Sequence, residues 1–303
     1  MNKKITNVSY SWEKDSIRLN TSDVDDERKE KWRKILGNKV FEMVKEENPS
    51  LLLHTNENEE IKRDDLFYSK IEPMYREYLN KFYCDSLKVE TEGVPDIVFY
   101  PFFFSLFNFA LSHLEKENPP YLSEVVKRSY INSLSDKFET ISLRTLIFEM
   151  NLCKEAGELK GDTPEEEYYY FQENYLKNVK YIEELFEIYP VLLRCLMETI
   201  DMVTKNYIEI LQHLKADKLE IVKELSCNKD FKQIKKMSNS LSDSHKGAKG
   251  VYNITLDNDV KILYKPHSLV TEINYQLLVK KVMMECGCPM ECYGIVSKDT
   301  YGW

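Results

Sequence analysis

The chain has 303 residues, of which 43% are apolar and 31% charged, with 20 tyrosines and 14 phenylalanines. That composition excludes a disordered, collagen-like or low-complexity protein, and the length allows one large domain or two ordinary ones. Forty-two Lys and Arg against 51 Asp and Glu give a net charge of -9, which argues against nucleic acid or an anionic membrane as a partner.

Seven cysteines, an odd number, follow an N-terminus without an apolar leader run, the pattern of reduced thiols in a cytoplasmic protein. Trp32, Ile35, Leu36, Val40, Phe41 and Val44 trace one helical face, and Phe67, Ile71, Met74, Tyr75, Leu79 and Phe82 trace another. The most apolar stretch, Ile97 to Leu114, is interrupted by Pro101, Ser105, Asn108, Ser112 and His113. It therefore reads as a buried helix and not as a membrane span, because hydrocarbon would leave those polar groups unpaired. Thr163-Pro164-Glu165-Glu166 has the form of a helix start, with Thr163 as cap and Glu166 completing a capping box. From there Tyr168, Phe171, Tyr175, Val179, Ile182 and Phe186 predict one helix as far as Tyr189-Pro190, and Leu193 to Leu211 predict the next. Lys232, Lys235 and Lys236 form a small basic cluster that reads as a solvated helix face in preference to a contact for an acidic leader peptide.

Five of the nine glycines fall after residue 240, and there the period becomes alternating. Val251 to Leu256 and Val260 to Lys265, joined by Asp257-Asn258-Asp259, predict a β-hairpin that Pro266 ends. Leu269, Ile273, Leu277, Leu278 and Val282 predict a helix, and Tyr293 to Ser297 a short strand-like piece before Tyr301-Gly302-Trp303. Such an ending looks cut, and a hairpin without further strands is expected to leave an unpaired edge near residues 293 to 303. The expected class is mainly α with a small α+β part: residues 1–240 a helical region, residues 241–303 an incomplete kinase-like N-lobe of hairpin plus helix.

The segment from Ser242 to Leu269 carries the chemistry. Gly247 and Gly250 before a strand let backbone N–H groups approach phosphate, and Lys265 at the end of the next strand can aim its ammonium at the same group. By spacing alone, a nucleotide site and an ordinary hairpin with an exposed lysine both remain open, since neither a Gly-x-Gly-x-x-Gly loop nor a Walker A loop is present.

Asp243-Ser244-His245 with Gly247, and Tyr264-Lys265-Pro266 after it, closely resemble the dehydratase domain of class II (LanM-type) lanthipeptide synthetases. Ser142-Leu143-Arg144-Thr145-Leu146 with Glu149, Leu159 to Glu166, Tyr189-Pro190-Val191-Leu192 and Tyr301-Gly302-Trp303 are similar to the same family, so that the likeness covers roughly residues 65 to 303. The resemblance implies an enzyme that uses ATP and Mg²⁺ to phosphorylate Ser and Thr of a ribosomal precursor peptide and then eliminates phosphate to leave dehydroamino acids. It implies Lys265 as the phosphate lysine, Gly247 and Lys249 as further nucleotide contacts, and Asp243 and His245 as the residues of elimination. The chemistry is consistent, because elimination needs a base at Cα and an acid for the leaving group, and His exchanges protons near neutral pH. Two positions depart from the family: Gly247-Ala248-Lys249 stands where Gly-Gly-Arg is usual, and His267 where an Arg is, each costing a bidentate phosphate fork. The family's catalytic loop, Mg²⁺ ligands and cyclase domain lie downstream of Tyr-Gly-Trp. The partners expected are therefore the precursor peptide and those C-terminal portions, with no metal ligands in this chain and no activity for the fragment alone. The alternative is a non-catalytic remnant or peptide-binding module.

Three further features have weaker claims. Cys286, Cys288 and Cys292 invite a metal reading, against which free, partly buried thiols are the plainer one. His54, His113 and His213 lie in separate elements and read as surface or core histidines. Glu272 reads as a solvated helix-terminal carboxylate, or as the partner of Lys265.

Overall fold

The computed structural model describes residues 33–34, 38, 41–42, 71–84, 97–239, 249–288 and 290–303. They form a mainly helical protein with one small three-stranded antiparallel sheet, as the periodicity indicated. Most of the helix face expected between Trp32 and Val44 lies outside the described residues, as does His54. Two compact units divide the chain: 1–76 with 183–194, and 77–182 with 195–303. In the first, Ile71, Met74 and Tyr75 are buried, as are Leu185 and Phe186, and the Tyr75 and Phe186 rings meet edge-on at 5.9 Å. The second holds the sheet and the functional residues.

Helix α1 spans Glu72–Cys84, and α2 spans Tyr100–Lys116 with Pro101 in its first turn. The apolar stretch of α2 is a buried helix, as expected. Its interrupting hydroxyls are paired: Ser105 shares a hydrogen bond of 2.9 Å with Tyr78, and Ser112 donates to the Phe109 carbonyl. Phe103 and Phe107 stack on Phe138 of α3, a helix that runs over Glu124–Glu155. Among the described residues no helix is long and apolar enough to cross a membrane.

Thr163 caps α4 (Pro164–Phe171) by accepting from the Glu166 N–H at 3.2 Å, while the Glu166 carboxylate reaches back to the Asp162 N–H at 2.7 Å. The single helix expected from 164 to 189 is interrupted. A π-helical turn at Gln172–Leu176 follows α4, and α5 restarts at Val179–Ile188, where the Asn178 side chain accepts from the Lys180 N–H. The break lets Phe171, Tyr175 and Tyr181 pack as an aromatic cluster, a tertiary gain that periodicity does not reveal. Helix α6 (Pro190–Ala216) begins at the expected proline and is followed by α7 (Lys218–Glu224).

Strand β1 (Ile234–Asn239) corrects the helical reading of Lys235 and Lys236, which lie exposed on it, with Lys232 in the coil before it. Its burial repeats at Ile234 and Met237 across a bulge between Ile234 and Lys236, and this three-residue spacing imitates a helix. Strands β2 (Tyr252–Leu256) and β3 (Lys261–Tyr264) form the expected hairpin, in the order β1-β2-β3. Tyr252 faces Tyr264 and Ile254 faces Ile262, all four buried. Helix α8 (Val270–Glu285) follows, with Leu277 and Leu278 each 61% exposed.

Candidate functional site

Alternation along β3 buries Tyr264 and turns Lys265 to the other side of the strand, partly open to solvent. The Lys265 backbone is held by a two-bond bridge to one residue: its N–H donates to the Gly302 carbonyl and its carbonyl accepts from the Gly302 N–H, each at 2.9 Å. Of the edge expected to lie unpaired, Lys265 alone is bridged to the chain's last residues, among which Val296 and Trp303 exchange hydrogen bonds and are buried, while β3 itself stays the outer strand of the sheet among the described residues. Gly302 is required there, because a Cβ would stand 2.5 Å from Leu269 side-chain carbons and 2.9 Å from the Val296 carbonyl.

Glu272, in the first turn of α8, lies with its carboxylate 3.4 Å from the Lys265 ammonium. Of the two readings of Glu272, partnership with Lys265 is the one realised. Burial pushes the Glu272 carboxyl up, but its own helix-terminal N–H and the Lys265 ammonium outweigh that, and the group lies below its usual value. Lys249 is held differently, gripped by both oxygens of Glu209 on α6 at 2.9 and 2.7 Å. Lys249, Gly250, Tyr264 and Pro266 share a cavity wall of about 10 Å³, room for one water. His267 is exposed and donates to the Ser268 carbonyl at 3.0 Å. Asp243, His245 and Gly247 lie outside the described residues.

A cluster that sequence reasoning passed over adjoins this site. His213, on α6, stacks on Tyr301 with ring centroids 3.6 Å apart and planes at 4°, and its Nδ1 lies 3.1 Å from the Tyr264 hydroxyl. Burial lowers the His213 pKa, opposed by Glu209 and Asp217 and aided by Lys249. Trp303 donates through its indole N–H to Asp217 at 2.8 Å, and Lys298 reaches the other Asp217 oxygen at 3.3 Å. Burial and the Asp217 carboxylate push the Tyr301 phenol up to about 12. The signal that could have found the cluster is the spacing of Glu209, His213 and Asp217, four residues apart on one helical stripe.

Among the described residues no group of three or more His, Cys, Asp or Glu is placed to hold a metal ion. Cys286, Cys288 and Cys292 are exposed thiols, not partly buried ones. Among the described residues the site therefore offers an ammonium held by a carboxylate.

Residues 189–303 match a family described as a domain of unknown function, DUF4135. The chain is also 30% identical over 149 residues to the lacticin 481/lactococcin biosynthesis protein LcnDR2 of Lactococcus lactis subsp. lactis. That alignment takes in 49% of this chain and 16% of the relative, so the chain spans about a sixth of that protein's length.

Proposed function

We propose that the chain forms the nucleotide-gripping N-terminal part of a lanthipeptide-synthetase dehydratase, acting with the remainder of a longer protein on a ribosomal precursor peptide. The Lys265–Glu272 pair carries this reading: a lysine at the end of a strand, oriented by a helix carboxylate, is the arrangement that steadies transferable phosphates in kinases. ATP bound there supplies the phosphoryl group for a Ser or Thr hydroxyl. Lys265 binds and orients the phosphates, Gly247 and Gly250 admit them close to the backbone, and Lys249 contributes once released from Glu209. Asp243 and His245 serve the second step, in which a proton leaves Cα, the Cβ–O bond breaks and phosphate departs. The Mg²⁺ that would accompany ATP is expected to be held by residues downstream of Tyr301-Gly302-Trp303, no group of three or more candidate ligands being found among the described residues.

A second reading, a peptide-binding module without catalysis, is favoured by the closed Lys249–Glu209 pair, which neutralises one of the two lysines facing the expected nucleotide. Calorimetric titration of the chain with Mg²⁺-ATP separates the two. Lys265→Ala is expected to weaken binding at least tenfold, since a hydrogen bond to a charged group is worth about 1.5–3 kcal/mol. Glu272→Gln should weaken it less and change stability by no more than about 1 kcal/mol, the pair being partly exposed. An affinity unchanged by Lys265→Ala would leave only the binding module.

A further inference from the structure

Each strand of the Lys265–Gly302 bridge carries a tyrosine next to the bridged residue, Tyr264 before Lys265 and Tyr301 before Gly302. His213 of α6 touches both. Its ring lies flat on Tyr301, its centroid is 5.9 Å from that of Tyr264, and its Nδ1 is 3.1 Å from the Tyr264 hydroxyl. One turn further along α6, Asp217 holds the other neighbour of Gly302 through the Trp303 indole. One turn earlier, Glu209 holds Lys249. By alternation Tyr264 and Tyr301 project from the face opposite the Lys265 side chain, so a group that clamps both holds the backbone bridge without filling the space in front of the ammonium.

The clamp turns on a side chain whose ordinary titration falls near neutral pH. Burial holds the Tyr264 and Tyr301 phenols protonated, above their ordinary value. A neutral imidazole can accept the Tyr264 hydroxyl at Nδ1, whereas an imidazolium carries N–H at both nitrogens and accepts nothing. The groups facing the ring are Glu209 and Asp217 on α6, Lys249 ahead of β2, Tyr264 on β3 and Tyr301 in the last segment. Burial is the largest influence and favours the neutral ring, the two carboxylates opposing it and Lys249 aiding it. A bridge that opens releases His213 to water, where it takes up its proton at about pH 6.5. Acid therefore favours the open form.

We propose that His213 is a positioning residue for Lys265: its neutral ring clamps the Lys265–Gly302 bridge from α6, and its protonation loosens the bridge and weakens the grip of Lys265 on a nucleotide phosphate. The consequence for phosphate rests on the reading of Lys265 as a nucleotide lysine. The clamp itself does not.

Hydrogen exchange resolved at single residues, expressed as protection relative to the unstructured chain, tests the clamp without nucleotide. At pH 7.5 His213→Phe keeps a ring against Tyr301 and loses the bond to Tyr264, and should lower protection of the Lys265 and Gly302 amides by about 2- to 12-fold. His213→Ala loses the ring contact as well and should lower it by roughly 5- to 150-fold. Between pH 7.5 and 5.5 the parent should lose protection at these two amides, and His213→Phe should lose less. Protection unmoved by both substitutions, equal losses in parent and His213→Phe, or protection that rises in acid through attraction of the imidazolium to the Tyr301 face, would each overturn the proposal. Calorimetric titration with Mg²⁺-ATP at the same two pH values is the second arm. The fall in affinity should be steeper in the parent than in His213→Phe by about twofold or more, a difference that a residue serving only overall stability would not produce in the folded chain. Falls equal in the two proteins overturn the positioning role. Exchange as expected with no ATP bound at either pH removes the nucleotide reading and leaves the clamp standing.

Discussion

Gly302→Ala tests whether the Tyr-Gly-Trp segment is what holds Lys265 in place. The added Cβ would lie 2.5 Å from the Cγ and Cδ1 of Leu269 and 2.9 Å from the Val296 carbonyl. Leu269 is buried and cannot swing into solvent, so the overpacking should cost about 1–3 kcal/mol. At about 2–4 °C per kcal/mol for a chain of this order of size, Tm should fall by roughly 2–12 °C. The same clash pushes Gly302 away from Lys265, with which it exchanges both backbone hydrogen bonds. If the whole penalty appears as easier local opening, exchange of the Lys265 amide hydrogen should quicken by roughly 5- to 150-fold. Urea denaturation and hydrogen exchange resolved at single residues measure the two effects. A variant within about 0.5 kcal/mol of the parent, with Lys265 exchange unchanged, would refute the reasoning.

Trp303→Phe removes the indole donor to the buried Asp217 carboxylate, to which Lys298 and the Tyr301 hydroxyl remain, so stability by urea unfolding should fall by about 1.5–3 kcal/mol. Thr163→Ala deletes the cap on α4 and should cost about 1 kcal/mol in the same assay. The folded-state pKa of His213 lies below its ordinary value, so the unfolded chain takes up the proton first. The His213 contribution should therefore be complete above pH about 6.5, be lost as pH falls below that, and level off under the folded value. The parent should lose more stability between pH 7.5 and 5.5 than His213→Phe does, and equal losses would remove His213 from the account.

The residues of the site were legible to different depths. Lys265 stood out because Tyr264-Lys265-Pro266 resembles a family motif, while its spacing after the glycines alone left an exposed hairpin lysine equally open. Lys249 was named from its place after the glycines, but nothing local foretold that Glu209, 40 positions earlier on α6, would grip it. Glu272 was visible as a carboxylate in a first turn, yet its choice between water and Lys265 depended on how α8 leaves β3. His213 reads as an ordinary core or surface histidine if the carboxylates of Glu209 and Asp217, one turn away on either side, are overlooked. Its importance comes from Tyr301, 88 positions later, stacking on its ring.

Local rules were enough for the parts whose energies are local. Thr163 with Glu166 starts a helix wherever it occurs, because the orphan N–H groups need acceptors within reach. Alternation of Tyr252, Ile254, Leu256 with Ile262 and Tyr264 makes a hairpin because one buried face tolerates no slip in register. The length and apolarity of 97–114 required burial. The π-helical break after Phe171, the strand at Ile234–Asn239 and the brace between Gly302 and Lys265 were decided only in three dimensions. Each depends on partners tens of positions away, whose packing and hydrogen bonding outweigh the few tenths of a kcal/mol that set local preference.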